Sequence, residues 1–359
     1  MAHDFPVIDA DGHLVERESD IVKYLPSPWD RRDGGILPGA DQPWDMLLFG
    51  KFAQQGEFGA MSPAEEAESW LRLMDEHGME TAVLFPTRAA HVSRIREEDL
   101  AVAVARAYNT CVAREYGSVS PRLRPVGILP LQDPERAAEE LRYAVTELGL
   151  ISFELSALNP APGLGHRRYD PIWAEAQRLN VPLCIHGSRN PSTDIGGDRL
   201  ATFGEVHAYG FTVSILLQFT NVLCQGVPVR FPGLRLAFLE NGATWLPYYL
   251  DRLDEHWEKR GEFEMPHLKE KPSAVFRRSP IYVSIEAGEG TLPETLAYVG
   301  DDHFLYASDI PHWDNEFPES LEAVRNHPRL SRETKEKLLY RNAQALFGLG
   351  SAAPAAVGT

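Results

Sequence analysis

The sequence is poor in cysteine, and its few cysteines are not paired. Cys111, Cys184 and Cys224 each lie inside an apolar segment, with no spacing typical of a disulfide framework. We therefore expect free, buried thiols in a reducing compartment. No basic-then-apolar signal pattern opens the sequence, and no apolar run reaches the length of a membrane span. We expect a cytoplasmic protein without a membrane segment.

Positive charge is also scarce. The 359 residues include 35 Lys and Arg against 52 Asp and Glu, which gives a formal net charge of -17. Nucleic acids and anionic membranes would repel such a surface, so neither is an expected partner. An anionic substrate would gain no general attraction either. Recognition of a carboxylate must therefore rest on a few local cations.

Two nucleotide-binding signatures are missing as well. No G-x-G-x-x-G follows an apolar run, and the G-x-x-x-x-G-K-[ST] phosphate loop is absent. What the sequence does contain is eight short apolar runs: FPVIDA, ETAVLFP, LRPVGILP, LGLISFEL, VPLCIHG, LRLAFLEN, PIYVSIEA and HFLYASD. Such runs, separated by amphipathic helices, indicate a parallel sheet that is buried on both faces. Eight units predict an α/β fold, a single (β/α)₈ TIM barrel.

Helix-like stretches separate these runs. The predicted helices cover residues 63–77, 97–117, 134–148, 171–180, 203–224, 244–260 and 292–299, with two more from about Ser320 and Ser331. Asp133 and Asp170 each precede a proline, which is typical of a helix start. Gly149 follows the last turn of the helix that Asp133 begins.

A long segment interrupts the repeat after the first run. Residues 16–62 are rich in Pro and Gly. Their aromatic residues include Trp29, Trp44, Phe49, Phe52 and Phe58. Loops of this length in compact domains are usually functional or disordered, so we expect a lid or a dimer contact. The predicted organisation is one distorted barrel over residues 1–348, with this insertion, and a frayed tail over 349–359.

Polar residues stand at the carboxyl ends of the runs, where barrels of this kind carry their chemistry. These residues are Asp11, His13, His186, Glu240, Asn241, Glu286 and Asp309. Taken singly, His186 could be a satisfied core histidine, Asp309 a helix cap and Asp11 part of a solvated turn. Their joint occurrence at equivalent ends favours a metal site. Asp, His, His and Asp suit a divalent ion such as zinc, with an open position for water or substrate.

Three motifs carry a resemblance to a known family. VIDADGH in the first run, YDPIWAEAQRLNVPLCIHG through the fifth and FLYASDIPHWD through the eighth resemble the amidohydrolase superfamily. More narrowly, they resemble the amidohydrolase-2 branch, which contains aminocarboxymuconate semialdehyde decarboxylase and the resorcylate-type aromatic acid decarboxylases. The resemblance covers about residues 5–348 and implies a distorted TIM barrel with one catalytic divalent metal. The implied ligands are Asp11, His13, His186 and Asp309.

The sequence departs from the superfamily pattern at two runs. Asp11 replaces the first histidine of the usual His-x-His pair, as an acid does in some decarboxylases of the branch. We expect zinc, with manganese or iron as alternatives because an oxygen ligand is harder. In FLENGATWLP, Glu240 or Asn241 stands where the family commonly has a histidine that acts as general acid or base. We expect Glu240 to take over this proton transfer.

The fourth run bears on the number of ions. LGLISFELSA lacks the lysine that two-metal members often use there. Glu154 could in principle bridge two ions, but we expect a single metal.

The branch resemblance implies a non-oxidative decarboxylase of an aromatic or conjugated unsaturated carboxylic acid. His186 would belong to the catalytic set as a ligand, and Asp309 or Glu240 would protonate the carbon that loses CO₂. The alternative is a mononuclear hydrolase, in which the metal lowers the pKa of water and the same acids accept its proton. A third possibility is a barrel that uses its metal only structurally or only binds a ligand. The complete set of four ligands argues against it.

Four further residues are candidates for substrate binding. Arg252 in LPYYLDRLD matches an arginine that reaches the substrate in aromatic acid decarboxylases, often across a dimer. The resemblance thus implies a small carboxylate or carbonyl substrate and a homodimer or dimer-based oligomer. Arg88 after the second run, His312 in SDIPHWD and His207 in GEVHAYG are the other candidates. For each, the alternative is an ordinary surface or packing role.

Overall fold

The chain folds as a barrel of parallel strands surrounded by helices. The computed structural model describes residues 5–31, 35–36, 58, 61–158, 162–187 and 196–350. The strands are β1 Val7–Leu14, β2 Met79–Pro86, β3 Leu123–Pro125, β4 Gly127–Ile128, β5 Phe153–Ser156, β6 Leu183–His186, β7 Leu236–Leu239, β8 Ile281–Ile285 and β9 Phe304–Tyr306. Each of the eight apolar runs contains a strand, which confirms the predicted α/β barrel.

A break in the third run distorts the barrel. Val126 separates β3 from β4, and its N–H donates to the Leu84 carbonyl at 2.8 Å. The next N–H, of Gly127, donates instead to the Ser152 carbonyl at 2.9 Å. The sheet therefore comes in two parts, β1-β2-β3 and β4 to β9 in sequence order. All neighbouring strands in both parts are parallel.

The barrel closes between β1 and the segment that follows β9. The Asp309 N–H donates to the Asp11 carbonyl at 2.9 Å, and the His13 N–H donates to the Ile310 carbonyl at 2.7 Å. These bonds join the first and last strands at their carboxyl ends. Three of the four predicted metal ligands therefore lie at the closing seam.

The helices follow the predicted stretches closely. They are α1 Glu18–Val22, α2 Pro63–His77, α3 Glu98–Val112, α4 Pro134–Thr146, α5 Asp170–Leu179, α6 Phe203–Cys224, α7 Val227–Arg230, α8 Leu246–Glu264, α9 Pro272–Arg278, α10 Leu292–Val299, α11 Glu319–Arg325, α12 Arg332–Glu336 and α13 Asn342–Phe347. The bounds predicted for α2, α6 and α10 are confirmed to the residue.

Of the two predicted aspartate helix starts, one is confirmed. The Asp133 carboxylate accepts the Arg136 N–H at 3.2 Å and caps α4. Asp170 is not a cap, because α5 begins at this residue and its side chain forms an ion pair with Arg230. A long-range arginine thus replaces the local hydrogen bond that the Asp–Pro pattern predicts.

Two apolar clusters lie on opposite faces of the strands. Residues such as Ala82 and Leu84 pack into a large cluster with the helices. The alternate residues Val83 and Phe85 belong to a smaller cluster made mainly of strand residues and residues from the C-terminal end of the chain, including α13. Because successive side chains of a strand point to opposite faces, this smaller cluster is the barrel interior. α13 covers one end of it.

The three cysteines are unpaired, as predicted. Cys111 and Cys184 are buried, whereas Cys224 at the end of α6 is only partly buried. The expectation of full burial is therefore wrong for Cys224. Its helix leaves part of its apolar surface uncovered.

α6 is unusually apolar for an outer helix. It is long and apolar enough to cross a membrane by length and composition alone, and 44% of its apolar window is buried within the protein. Core helices of soluble proteins also meet these criteria. The exposed part of α6 includes Leu217, which is 50% exposed.

Only part of the predicted insertion over residues 16–62 lies within the described residues. Trp29 and Phe58 pack against the large apolar cluster, and the Phe58 ring lies 6.2 Å from the Trp70 ring. Three of the insertion's aromatic residues lie outside the described residues: Trp44, Phe49 and Phe52. The tail from residue 351 also lies outside them. The lid or dimer contact and the frayed tail therefore stay predictions.

Two buried glutamates hold the segment that follows β1. The Glu16 carboxylate accepts backbone N–H groups from Thr87, Arg88 and Ala89 at 3.2, 3.1 and 2.7 Å. It thereby ties the end of β1 to the end of β2. Glu66 on α2 holds the neighbouring position, where its carboxylate accepts the Val15 N–H at 2.7 Å and the Tyr116 hydroxyl at 2.6 Å.

Glu66 is expected to make the fold less stable as pH rises. Burial raises the pKa of Glu66 to about 7 from 4.5, against the lowering effect of its Tyr116 and Val15 hydrogen bonds. An acid whose pKa is raised on folding binds its proton more tightly in the folded state. The free energy of unfolding therefore falls by about 3 kcal/mol between pH 4.5 and pH 8 because of this group.

Glu66→Gln, which resembles the protonated acid, should remove most of this pH dependence. The urea midpoints of the wild type and the variant, measured at pH 5 and pH 8, give the test. Glu68→Gln on the exposed face of the same helix serves as the control and should retain the wild-type slope. Equal midpoint shifts in wild type and Glu66→Gln would contradict the assignment.

Candidate active site

β1 contains an irregularity that separates its polar side chains. The register against β2 shifts between Asp9 and Gly12. The Asp9 carboxylate accepts the Ser308 N–H at 3.0 Å and the Ser308 hydroxyl at 2.5 Å. Asp9 therefore holds the end of β1 to the segment after β9 and does not join Asp11 and His13 in the cluster.

Gly12 allows a tight contact behind the site. A Cβ at this position would lie 2.6 Å from the Trp70 ring, closer than real contacts permit. The Trp70 indole N–H donates to the His13 carbonyl at 3.3 Å. Glycine is required at position 12 because the Trp70 indole packs directly against the backbone between Asp11 and His13.

Three buried side chains from β1 and β6 point at one another. The His186 Nε2 atom lies 3.4 Å from Asp11 Oδ1, and the His13 Nε2 atom lies 3.5 Å from the same oxygen. All three atoms are inaccessible to water and have no hydrogen-bond partner among the described residues. His186 lies 173 positions after His13 in the sequence, on a strand whose carboxyl end the barrel brings close to that of β1.

Asp309 completes this cluster from the segment after β9. Its Oδ1 atom lies 3.4 Å from His13 Nε2 and 2.5 Å from His312 Nδ1. The backbone of Asp309 has a φ of 56°, in the left-handed region that few residues other than glycine adopt. Such strained backbone is concentrated at functional sites, where the fold holds a side chain in one direction.

Glu240 stands beside the cluster at the end of β7. Its carboxylate lies 3.2 Å from His186 Nδ1 and 3.7 Å from His312 Nδ1. Its φ is 63°, so it is a second left-handed residue at the site. Burial, together with the Asp309 carboxylate, raises the pKa of Glu240 to about 7, although the neighbouring histidines oppose the rise. Glu240, not Asn241, thus faces His186 and His312.

His312 lies between the Asp309 and Glu240 carboxylates and Thr87, which follows β2. Its ring stacks on His13 with centroids 4.0 Å apart, and its Nε2 atom lies 3.2 Å from the Thr87 hydroxyl. Although burial opposes its charge, the Asp309 and Glu240 carboxylates raise the pKa of His312 well above its usual range. His312 Nδ1 is therefore a hydrogen-bond donor to Asp309, while Glu240 lies 3.7 Å from the same atom.

A cavity opens above these residues. Its volume is about 480 Å³. Its described lining residues are Asp11, His207, Ala208, Phe211, Thr212, Glu240, Asn241, Ser284, Glu286, Ala287, Gly288, Ala307, Ser308, Asp309, Asp314, Asn315, Glu316 and Ser320. The size suits a small molecule.

The structure brings some of the predicted substrate residues to this cavity and not others. His207 lines it and stacks on Phe211 with centroids 4.6 Å apart. Arg88 is 52% exposed and pairs with Glu18. Arg252 is 45% exposed on α8 and pairs with Glu255 at 2.6 Å. Neither arginine is among the described lining residues, so their substrate roles stay predictions.

Several residues of the site were not singled out in the sequence. Glu289 accepts N–H groups from Ala243 and Thr244, both at 2.8 Å, and holds the turn that carries Glu240. Ser284 supports the same turn by accepting the Glu240 N–H at 2.9 Å. Such contacts join residues more than 40 positions apart, so only the folded structure reveals them. Asp314, by contrast, lies within the SDIPHWD motif and had a sequence signal.

The donor set fits a divalent metal ion. Asp11, His13 and His186 each offer one atom within 4.8 Å of the others. Burial, together with His312 and His186, lowers the pKa of His13 well below its usual range, so its ring is a neutral donor. Burial opposes a charge on His186, but the Glu240 and Asp11 carboxylates raise its pKa. A cation bound at Nε2 would satisfy the same carboxylates that favour this proton.

The fold and the cluster define an enzyme of the amidohydrolase superfamily. The chain belongs to the amidohydrolase family, whose sequence model matches residues 8–349. This result confirms the resemblance found in the three motifs.

Similar proteins share most of the length of the chain. Gamma-resorcylate decarboxylase of Rhodococcus jostii (strain RHA1) is 28% identical over 297 residues, which are 78% of this chain and 86% of that protein. 2-amino-3-carboxymuconate-6-semialdehyde decarboxylase of Dictyostelium discoideum is 23% identical over 309 residues, 85% of this chain and 81% of that protein.

A solved structure confirms the fold. The dihydroxybenzoic acid decarboxylase of Polaromonas sp. JS666, crystallised with manganese and the inhibitor 2-nitroresorcinol, superimposes with a TM-score of 0.74 at 23% identity. The match covers 97% of this chain and 98% of that one.

Proposed function

We propose that the protein is a metal-dependent, non-oxidative decarboxylase of an aromatic or conjugated unsaturated carboxylic acid. One observation supports this most directly. Three buried donor atoms, of Asp11, His13 and His186, have no hydrogen-bond partner among the described residues and converge beside Glu240; Asp11 and Glu240 also line the cavity. The decarboxylases among the similar proteins support the choice of reaction.

The metal ligands we propose are Asp11, His13, His186 and Asp309. A divalent ion held there supplies Lewis acidity that attracts the substrate carboxylate and a neighbouring oxygen. Zinc is the ion expected from the sequence, and the manganese in the Polaromonas structure makes manganese the first alternative to test. Elemental analysis of the protein purified without added metal would identify the ion.

The side chains around the ligands would move the proton. Glu240 faces the cavity and lies within 3.7 Å of His312, so we assign it the delivery of a proton to the carbon that carries the carboxylate. The bond from this carbon to the carboxylate then breaks, CO₂ leaves, and the bonding electrons return to the ring or alkene. Asp309 is the alternative proton donor, with His312 holding its carboxylate in place.

A substrate screen tests this function. The metal-loaded protein would be mixed with hydroxybenzoates, muconates, amides and lactones, while CO₂ release and pH are followed together. CO₂ release from one of the acids is the expected result. Hydrolysis of an amide or lactone without CO₂ would instead establish the hydrolase alternative.

We propose that two copies associate through α6 and α8. The exposed face of α6 includes Leu217, 50% exposed, and the neighbouring face of α8 includes Tyr248, 68% exposed. The Tyr249 hydroxyl on α8 lies 2.6 Å from the Thr220 hydroxyl on α6, so the two helices are in contact. Tyr248 and Tyr249 lie one helical turn before Arg252. This exposed apolar surface favours association with a second copy of the chain. In such a dimer, Arg252 would lie near the partner's cavity.

Leu217→Arg is expected to convert the dimer to a monomer, because a charged side chain replaces an apolar contact. Light scattering after size exclusion would measure the mass. Val119→Arg, at a site 45% exposed and outside α6 and α8, is the matched control and should remain dimeric. If Arg252 reaches the substrate across the dimer, Arg252→Ala and Leu217→Arg should raise KM for acids by similar factors. A dimeric Leu217→Arg variant would refute this interface.

We also propose a cytoplasmic protein that interacts with neither nucleic acid nor membranes. The net charge of -17 and the unpaired cysteines support this location.

A further inference from the structure

The wall of the active-site cavity is unusually acidic. Besides the carboxylates near the metal ligands, the described lining includes Glu286, Asp314 and Glu316. The described part of the lining contains no lysine or arginine. Among the described lining residues, His207 is the basic side chain beside these acids, and its Nε2 atom lies 3.6 Å from the Asp314 carboxylate.

An independent observation makes this cavity a ligand site. Asp11, His13 and His186 are at least nine-tenths buried, each has one polar atom without a hydrogen-bond partner among the described residues, and Asp11 also lines the cavity. The acidic wall is therefore part of the surface that a substrate meets. Its charge must influence which substrates bind.

Glu286 is the central group of this wall. It follows β8 directly, and its N–H donates to Glu289 at 3.1 Å, which fixes the start of the loop. Partial desolvation in the cavity wall raises the pKa of Glu286 to about 8, and the Asp309, Glu289, Glu240 and Asp314 carboxylates raise it further. Carboxylates on several sides thus already crowd this position.

Aromatic rings line another part of the cavity. His207 lies between Phe211 and Trp313, with ring centroids 4.6 and 5.5 Å away and ring planes inclined by 40° and 74°. His207 and Phe211 line the cavity, and Asp314 joins this side to the acidic wall. An aromatic or unsaturated substrate would contact these rings while its edge faces Glu286 and Asp314.

We propose that the substrate is a monocarboxylic acid that presents a hydroxyl or amino group to Glu286 and Asp314. This inference rests on the proposed function for the position of the reacting carboxylate, which lies at the metal ligands. A hydrogen-bond donor at the far edge would satisfy the acids of the wall. A second carboxylate at the same edge would meet the negative charges of Asp314 and Glu316, so dicarboxylic acids should bind more weakly.

Matched substrates test this inference with the metal-loaded protein. The panel consists of 2-hydroxybenzoates that carry hydrogen, hydroxyl, amino or carboxylate at one ring position, with each position tested in turn. Binding is measured by calorimetry, and CO₂ release is measured separately. We expect at least about tenfold tighter binding, and a similar advantage in kcat/KM, for a donor-bearing acid over its carboxylate counterpart at one position or more.

Variants locate the effect on the acidic wall. Glu286→Gln combined with Asp314→Asn should reduce the discrimination to less than about threefold, and Glu286→Lys should favour the carboxylate-bearing acid. Glu294→Gln is the matched control, because Glu294 is exposed on α10 and pairs with Arg329 outside the cavity. It should keep the wild-type ratio.

The two measurements separate this inference from the proposed function. CO₂ release with a preference for dicarboxylic acids would overturn the inference and leave the function in place. Donor-dependent binding without CO₂ release from any member would support the inference and refute the decarboxylase. Equal binding of both classes by the wild type, or discrimination unchanged in every wall variant, would overturn the inference.

Discussion

His186→Ala is expected to reduce bound metal to well below one ion per chain and kcat/KM by at least about 10³-fold, or about 4 kcal/mol of transition-state stabilisation. His186 Nε2 is one of three converging atoms that have no other partner, so no neighbour can replace it. Its Nδ1 atom lies 2.9 Å from the Gly187 carbonyl and 3.2 Å from Glu240, which orients the ring. Elemental analysis and steady-state kinetics would give both values.

His166→Ala is the matched control for this variant. His166 is exposed, and its ring accepts only the local Arg168 N–H at 3.2 Å. The control should retain full metal content and activity. Full activity and one ion per chain in His186→Ala would refute the site.

Glu240→Gln should lower kcat by about 10² to 10³-fold, the range of general acid catalysis, while the metal content changes little. The amide keeps the size of the carboxyl group but cannot deliver a proton. Glu240 is not one of the four proposed ligands, so the loss should fall on turnover. Metal analysis beside kcat and KM separates the two effects.

The control for this second variant is Glu258→Gln. Glu258 is an exposed glutamate on α8 that pairs with Lys271 at 2.5 Å, and its amide should leave kcat unchanged. An unchanged kcat in Glu240→Gln would transfer the proton delivery to Asp309. A loss of metal equal to that in His186→Ala would make Glu240 a ligand instead.

The barrel could be predicted from the sequence because each of its units is locally specified. Eight apolar runs and the helices between them set the order of the elements, and parallel pairing then follows from the crossovers. The carboxyl ends of the strands meet at one face, so Asp11, His186 and Asp309 could be placed together without coordinates.

The details that shape the site depend on contacts between distant residues. The register shift in β1 arises as Asp9 binds Ser308, 299 positions away. The left-handed backbone of Glu240 and Asp309 breaks the usual preference of such residues, and only the closed barrel enforces it. Alternation along a strand therefore could not place the Asp9 side chain, and it left the choice between Glu240 and Asn241 open.

The residues predicted to bind the substrate show a different limit. His312 and His207 lie near the ends of strands or in the following helix, and both lie at the site. Arg252 was inferred from a motif on an outer helix, and it is not among the described residues that line the cavity. If a second copy supplies this contact, as we propose, the sequence of one copy carries no periodicity that would reveal it.

A metal ion bound by the proposed ligands would have a role in the completion of folding, because these ligands lie on both sides of the seam between β1 and the segment after β9. Ligands from both sides of this seam converge, so a nascent chain that lacks its last strand has only an incomplete set. An ion bound to Asp11, His13 and Asp309 would link β1 to the segment after β9 and so stabilise the closed barrel. Removal of the ion should loosen this seam before the other strand pairs, and amide exchange at His13 and Asp309 would report the opening.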